Sequence, residues 1–146
     1  MDTDDARQAT PDDVHEICMS LPDVELGVSW GDRPTYKVPS GGKGRGFLLY
    51  RAPHATAVDP ASGEEYTDLL VIHTGTPGDK AALVDDPGTP FFTIPHFDRS
   101  NSVLVQRSRL GELTVDELRE VITEAWFSRA PRRLHREFAE HHRDEV

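Results

Sequence analysis

The chain has 146 residues, the size of one ordinary domain, and is long enough to bury a core without disulfide or metal staples. Hydrophobic residues make up 36% and charged residues 29%, so we expect a thin core and two layers rather than three. The formal net charge of −10 opposes long-range attraction to nucleic acid and to anionic membranes.

The single cysteine, Cys18, excludes an intrachain disulfide and the common structural zinc patterns, and it fits a reducing compartment. The first residues lack the basic segment and the following apolar run of a signal peptide. No apolar stretch reaches the roughly 18 residues that a membrane-spanning helix needs. We therefore expect a cytoplasmic protein that has no membrane anchor and no contact with membranes.

Charge is distributed unevenly along the chain. The first 26 residues carry eight acidic side chains against one basic side chain, Arg7. The segment from Arg33 to Arg51 instead carries five basic residues and no acid. The average charge therefore hides a basic segment.

Helices are predicted from caps and apolar spacing. Residues 1–9 are polar and aperiodic and predict a disordered tail. Thr10 and Pro11 predict the start of a first helix, and Thr76 and Pro77 that of a short second one. In the third helix Thr114 and Glu117 form a capping box, and a fourth helix is predicted from Pro131 as a C-terminal extension.

Strands are predicted where apolar and β-branched residues are bounded by turn signals. The glycine-rich stretch 40–46 is predicted as a loop, and 51–67 as a long connection. The predicted strands are residues 24–30, 34–38, 47–50, 68–73, 91–94 and 102–106.

This order of elements predicts an α+β fold with two layers, in which an antiparallel sheet of about five or six strands carries helices packed on one face. Residues 47–50 and 69–72 are apolar at consecutive positions, so their side chains point to both faces of the sheet. If helices cover one face only, the other exposes apolar surface, which is typical of a partner or ligand site.

Catalytic and metal patterns are missing from the sequence. The seven histidines include no HExxH and no pair four residues apart, and Cys18 lies on the apolar stripe of the first helix. The loop 40–46 could hold an anion with its backbone N–H groups. A flexible hairpin loop is favoured, because the Gly-Lys-Ser/Thr ending of a Walker motif is absent. We predict no enzyme activity, no metal and no cofactor.

Aromatic residues alternate with basic ones in the basic segment, as stacking and phosphate contacts on a single nucleic-acid strand would require. The alternative interpretation is a set of core aromatics with solvated basic neighbours. Likewise, the cluster from Arg129 to Arg136 is interpreted as a solvated helix face. The candidate nucleic-acid contacts are Trp30, Arg33, Tyr36, Lys37, Lys43, Arg45 and Arg51.

Three short motifs resemble the opening of the MmcQ/YjbR family. They are Leu21-Pro22-Asp23-Val24-Glu25, Ser29-Trp30-Gly31 and Pro34-Thr35-Tyr36-Lys37-Val38. The resemblance covers roughly residues 10–128 and predicts a single domain over 10–142, with its helical extension beginning at about 131. Three features depart from the family pattern: Asp23 where glycine is usual, a long loop at 52–67, and the extension.

The resemblance implies a two-layer fold similar to secretion chaperones. Family members are commonly labelled DNA-binding, and the family offers no catalytic residues to carry over. Our first hypothesis is a non-enzymatic module that binds DNA or another nucleic acid through the basic strand pair and the open sheet face. The alternative is a module that binds a protein or peptide, or forms a homodimer. An enzyme is the third hypothesis, and it would require His73, His96 and an acid to converge in a pocket.

Overall fold

The computed structural model describes residues 7–29, 33–40, 43–51, 57–59, 61–97 and 99–144. These ranges contain a five-stranded sheet, four α-helices and two short 3₁₀ helices at Pro95–Phe97 and Arg107–Glu112. The strands are β1 (Glu25–Ser29), β2 (Arg33–Ser40), β3 (Lys43–Arg51), β4 (Leu69–His73) and β5 (Ser102–Gln106). The helices are α1 (Pro11–Ser20), α2 (Pro77–Val84), α3 (Val115–Arg129) and α4 (Arg132–Asp144).

The sheet has the order β1-β2-β3-β4-β5, and each strand is antiparallel to the next. This meander, with its helices, confirms the predicted α+β fold with an antiparallel sheet. Helix α4 occupies the segment predicted as a helical extension. No helix in the described ranges is both long and apolar enough to cross a membrane.

The glycine-rich stretch differs from its prediction as a loop, because residues 43–46 belong to β3. Arg45 pairs with Val38 and Gly46 with Lys37, beside a register shift at Tyr36 and Lys37. A Cβ on Gly46 would lie only 2.8 Å from the methyl group of Thr35 on the paired strand β2, so any larger residue would force Thr35 to shift. Residues 41 and 42 lie outside the described ranges.

One face of the sheet packs against the helices. Trp126 of α3 is fully buried there, and its Nε1 donates a hydrogen bond of 3.1 Å to the Pro22 carbonyl. Phe138 of α4 packs on Trp126 and Phe127 with ring centroids 5.6 and 4.9 Å apart. The predicted apolar stripe of α3 therefore forms the centre of the main core.

The opposite face of the sheet is covered over β4 and β5, so the apolar surface expected on the helix-free face is not exposed there. Ala57, Ile94 and Phe97 form a second core against Leu69, Val71 and Leu104. This cover is needed because β4 is apolar at consecutive positions and would otherwise expose one set of side chains to water.

The prediction of a strand at residues 91–94 is wrong. The segment makes one bridge, between Phe92 and Leu104, and then turns into the 3₁₀ helix Pro95–Phe97. Pro90 and Pro95 lack the N–H group that a strand ladder requires, so pairing does not extend in either direction.

Residues 7–9, expected in a disordered tail, are held against the domain. Gln8 forms a bridge with Thr114, and the Ala9 N–H donates to the Leu113 carbonyl at 2.9 Å. The Arg7 guanidinium forms an ion pair with Asp13 at 2.5 Å. Residues 1–6 of the predicted tail lie outside the described ranges.

Lys80 of α2 anchors the turn that follows the 3₁₀ helix Pro95–Phe97. Its Nζ is buried and donates to the carbonyls of Phe97 at 2.7 Å and Ser100 at 2.6 Å. A buried ammonium bound to carbonyl oxygens fixes their positions, because neither group can turn to water instead.

Replacing Asp13 should destabilise the fold in a pH-dependent way. Its carboxylate accepts hydrogen bonds from Arg7 and from the Thr10 N–H at 2.7 Å, and the Arg7 bond is the main cause that lowers the pKa of Asp13 to about 2. This stabilisation is complete above the ordinary pKa of 3.8 and is lost as the pH falls through about 2. Asp13→Asn should lower the free energy of unfolding at pH 7 by about 1–2 kcal/mol, measured by urea denaturation.

Asp12→Asn is the matched control, because Asp12 lies in the same helical turn but is exposed. Equal effects of the two substitutions would contradict a specific role for the Asp13 contacts.

Removing the Lys80 ammonium should destabilise the protein by about 2–4 kcal/mol, because two carbonyls would lose a charged donor. We expect Lys80→Met to show this loss in thermal unfolding, and the exposed Ala81→Met in the same helix to unfold near the wild-type temperature. A wild-type melting temperature for Lys80→Met would refute the anchoring role.

Candidate functional site

A cavity of about 440 Å³ opens where β4 ends and β5 begins. Its walls come from β2 and β3, from His73 at the end of β4, from the turn containing Phe97, Arg99 and Asn101, and from Arg129 at the end of α3. The β-meander brings these segments together, because His73 pairs with Ser102 and the turn lies immediately before Ser102.

The charge around this cavity is positive. Arg99 and Arg129 line it, and no acidic residue is among its described lining residues. Arg45 of β3 is exposed and near enough for its charge to act on both Arg129 and His73. Three arginines from three separate elements therefore converge at one end of an acidic protein.

Arg129 is in an unfavourable environment for a cation. Burial, and after it the charge of Arg45, lowers the pKa of its guanidinium. Its Nε is buried and has no hydrogen-bond partner among the described residues. A buried donor without an acceptor costs about 1–3 kcal/mol, so an anion within reach of this guanidinium would be stabilised.

His73 is neutral at pH 7. Burial is the main cause that lowers its pKa to about 4, and the charges of Arg129 and Arg45 lower it further. Its Nδ1 lies 2.9 Å from the Ser128 Oγ, and that hydroxyl donates its only proton to the Ala125 carbonyl at 2.6 Å. Nδ1 must therefore carry the histidine proton and donate it to Ser128, which leaves Nε2 unprotonated.

The turn that presents Arg99 is fixed by hydrogen bonds. Asn101 Nδ2 donates to the Gly75 carbonyl at 3.2 Å, and the Ser102 N–H donates to the Ser100 Oγ at 3.0 Å. Thr74 donates through its N–H to the Asn101 carbonyl at 2.8 Å. With Lys80 beneath it, the turn is a preorganised wall of the cavity.

These features are chemically suited to binding an anion. Fixed positive charge and a rigid hydroxyl- and amide-bearing wall provide donors and a favourable potential, whereas the neutral imidazole of His73, unprotonated at Nε2, offers an acceptor. Arginine guanidinium groups recognise phosphate and carboxylate through paired N–H donors.

Two of the residues expected to contact nucleic acid are buried. Tyr36 is 2% exposed, its hydroxyl lies 2.9 Å from His15 Nδ1, and burial raises its pKa. Arg51 is also buried, with its guanidinium 5.3 Å from the centre of the Phe97 ring. Tyr36 therefore belongs to the core, as the alternative interpretation of the aromatics proposed.

The other expected contacts differ in how accessible they are. Arg45 is exposed, and Lys37 is partly buried, with its side chain along Gly27. Arg33 and Lys43 lie in β2 and β3, but their side chains are outside the described part of the structure, as is Trp30 entirely. Among the candidates whose side chains are described, Arg45 is the one next to the cavity: it immediately precedes the lining residue Gly46 and acts electrostatically on Arg129 and His73.

Sequence reasoning missed Arg129 and Arg99. Arg129 was grouped with Arg132, Arg133 and Arg136, which are exposed on α4, whereas Arg129 ends α3 and turns toward the sheet. The helix end before Pro131 could have separated Arg129 from the others.

His73 lines the cavity, but the convergence of His73, His96 and an acid that an enzyme would require stays a prediction. The His96 side chain and Asp98 lie outside the described residues. Within the described residues no group of three or more His, Cys, Asp or Glu side chains could hold a metal. Cys18 is buried in the main core, and burial raises its pKa.

The fold is similar to that of a solved structure. The crystal structure of Deinococcus radiodurans protein DR2400, which contains a DUF419 domain, matches with a TM-score of 0.57 and 18% sequence identity. The match covers 84% of this chain and 79% of that one. At this identity the similarity concerns the fold alone.

Relatives with higher sequence identity are mycobacterial. Uncharacterised proteins of Mycobacterium tuberculosis and Mycobacterium bovis are 44% identical over 77 residues, which is 52% of this chain. The chain spans about half, 54%, of the length of these relatives.

The family model described as YjbR matches residues 19–127, which include all five strands and most of α3. This match agrees with the resemblance seen in the opening motifs and with the DUF419 fold. The chain therefore belongs to the YjbR family.

Proposed function

We propose that this protein is a non-enzymatic binding module that contacts the phosphate groups of a nucleic acid. The presence of Arg99 and Arg129 on the cavity, with Arg45 close enough to act electrostatically on Arg129, carries the proposal. Phosphate is the preferred ligand class, because guanidinium groups bind it through charged, paired hydrogen bonds.

Phosphate contacts are favoured over base stacking. Tyr36, the described aromatic residue among the proposed contacts, is buried in the core and offers no accessible ring face. Binding through phosphates alone positions a nucleic acid without reading its sequence. We therefore expect weak sequence preference.

The net charge of −10 limits the affinity but does not prevent local binding. Long-range repulsion is screened beyond about 10 Å at 0.1 M salt, whereas contacts within the cavity are shorter than that. Three arginine–phosphate contacts correspond to a slope of log K against log salt of about −2 to −3.

Reversing charge at the cavity should abolish most of the binding. We expect Arg45→Glu with Arg99→Glu to weaken binding of a fluorescent oligonucleotide of about 20 nucleotides by at least tenfold at low salt, measured by fluorescence anisotropy. Both side chains are exposed, so the fold should be retained.

The matched control is Arg109→Glu with Arg136→Glu, which changes the net charge equally at exposed positions outside the cavity. Equal weakening in the control, no wild-type binding at low salt, or binding of inorganic phosphate without binding of DNA or RNA would each contradict the proposal.

His73 should report the charge around it. In the free protein the pKa of His73 should be about 4. As the pH falls from the ordinary pKa of 6.5 to about 4, the free energy of unfolding should decrease, because the unfolded chain binds the proton at a higher pH than the folded chain does. Both a bound phosphate and Arg45→Glu should raise the pKa of His73, because each offsets positive charge. NMR titration of the imidazole signals measures this, and an unchanged pKa in both experiments would exclude close electrostatic coupling.

A further inference from the structure

A second cavity lies between α2 and α3 and differs in character from the basic one. It has a volume of about 460 Å³. Its apolar floor consists of Leu83, Phe91, Leu113 and Val121. We call it the α2–α3 groove.

Both walls of the α2–α3 groove carry acidic side chains. Asp79 lies on α2, and Glu117, Glu120 and Glu124 lie on α3. The three glutamates are spaced three and four residues apart, so they form one stripe about 10 Å long on the helix surface.

Three of these acids lack ion-pair partners within the described chain. Asp79, Glu120 and Glu124 form no salt bridge with any described residue, whereas Asp116, close by on α3, pairs with Arg119 at 3.3 Å. Their mutual repulsion would be relieved by a cationic partner.

We propose that the α2–α3 groove binds a basic amphipathic helix of a partner protein. The apolar floor fits aliphatic or aromatic anchor residues, and the glutamate stripe has the spacing of basic residues along one side of such a helix. This inference is independent of the phosphate site, because the two cavities share no lining residue.

A second copy of this chain is a poorer occupant. Helix α4 is its most basic helix, with exposed Arg132, Arg133 and Arg136, but the apolar face of α4 already packs against the main core. Leu134 is fully buried in the main core, and Phe138 packs on Trp126. The helix therefore has basic residues but no free apolar anchors to offer.

The test uses a synthetic helical peptide of about 15 residues. Leucines at positions 1, 5 and 8 of its central segment form one apolar face, and lysines repeated at the same three- and four-residue spacing form a basic stripe beside that face. Isothermal titration calorimetry should detect its binding, and NMR shifts should concentrate in α2 and α3. A peptide of the same composition in scrambled order should bind at least about tenfold more weakly, because its anchors no longer share a face.

Glu120→Lys with Glu124→Lys should weaken binding by at least about tenfold, because it reverses the stripe. Glu64→Lys with Glu65→Lys is the matched control, with the same charge change at exposed positions outside the groove, and should bind within about twofold of wild type. Val121→Thr, which nearly preserves shape but adds a hydroxyl to the floor, should weaken binding without loss of fold.

Equal binding of the scrambled peptide, equal weakening in the control, or no binding would overturn the proposal. Self-association that disappears in Glu120→Lys with Glu124→Lys would also overturn it, because the occupant would then be a second copy. Because the probe carries no phosphate, these results are separate from those for the basic cavity.

Discussion

The apolar character of both faces of β4 is the constraint on which the rest of the structure depends. Leu70 and Ile72 face the main core, while Leu69 and Val71 face the second core, and all four are buried. Helices cover the first face. The second is covered by Ala57, Ile94 and Phe97, which lie between strands in the sequence and pack on the sheet.

This cover also creates the basic cavity. The turn after Phe97 must cross the end of the sheet to reach β5, and Lys80 and Asn101 hold it there. Arg99 is thereby placed on the same cavity as Arg129, which ends α3 on the helical side of the sheet. The arginines come from elements that are distant in sequence, so the site is a product of packing and not of a local motif.

The sequence predicted the fold well because caps, turns and apolar spacing are local signals. Thr114 with Glu117 predicted the start of α3, and the apolar run through Leu69 and Ile72 predicted β4. The site was predicted less well. The burial of Tyr36 depends on strand parity and on a register shift beside it, and the position of Arg129 depends on where a helix ends against the sheet. Neither can be deduced from composition or spacing.

We propose that positive charge from three elements forms one anion-binding surface at the end of β4. The most direct test is to add a short oligonucleotide to isotopically labelled protein and map the NMR chemical-shift changes. We expect these changes to cluster on His73, Arg99, Ser102 and Arg129 and to vanish at high salt. Changes confined to α4, or none at low salt, would contradict it.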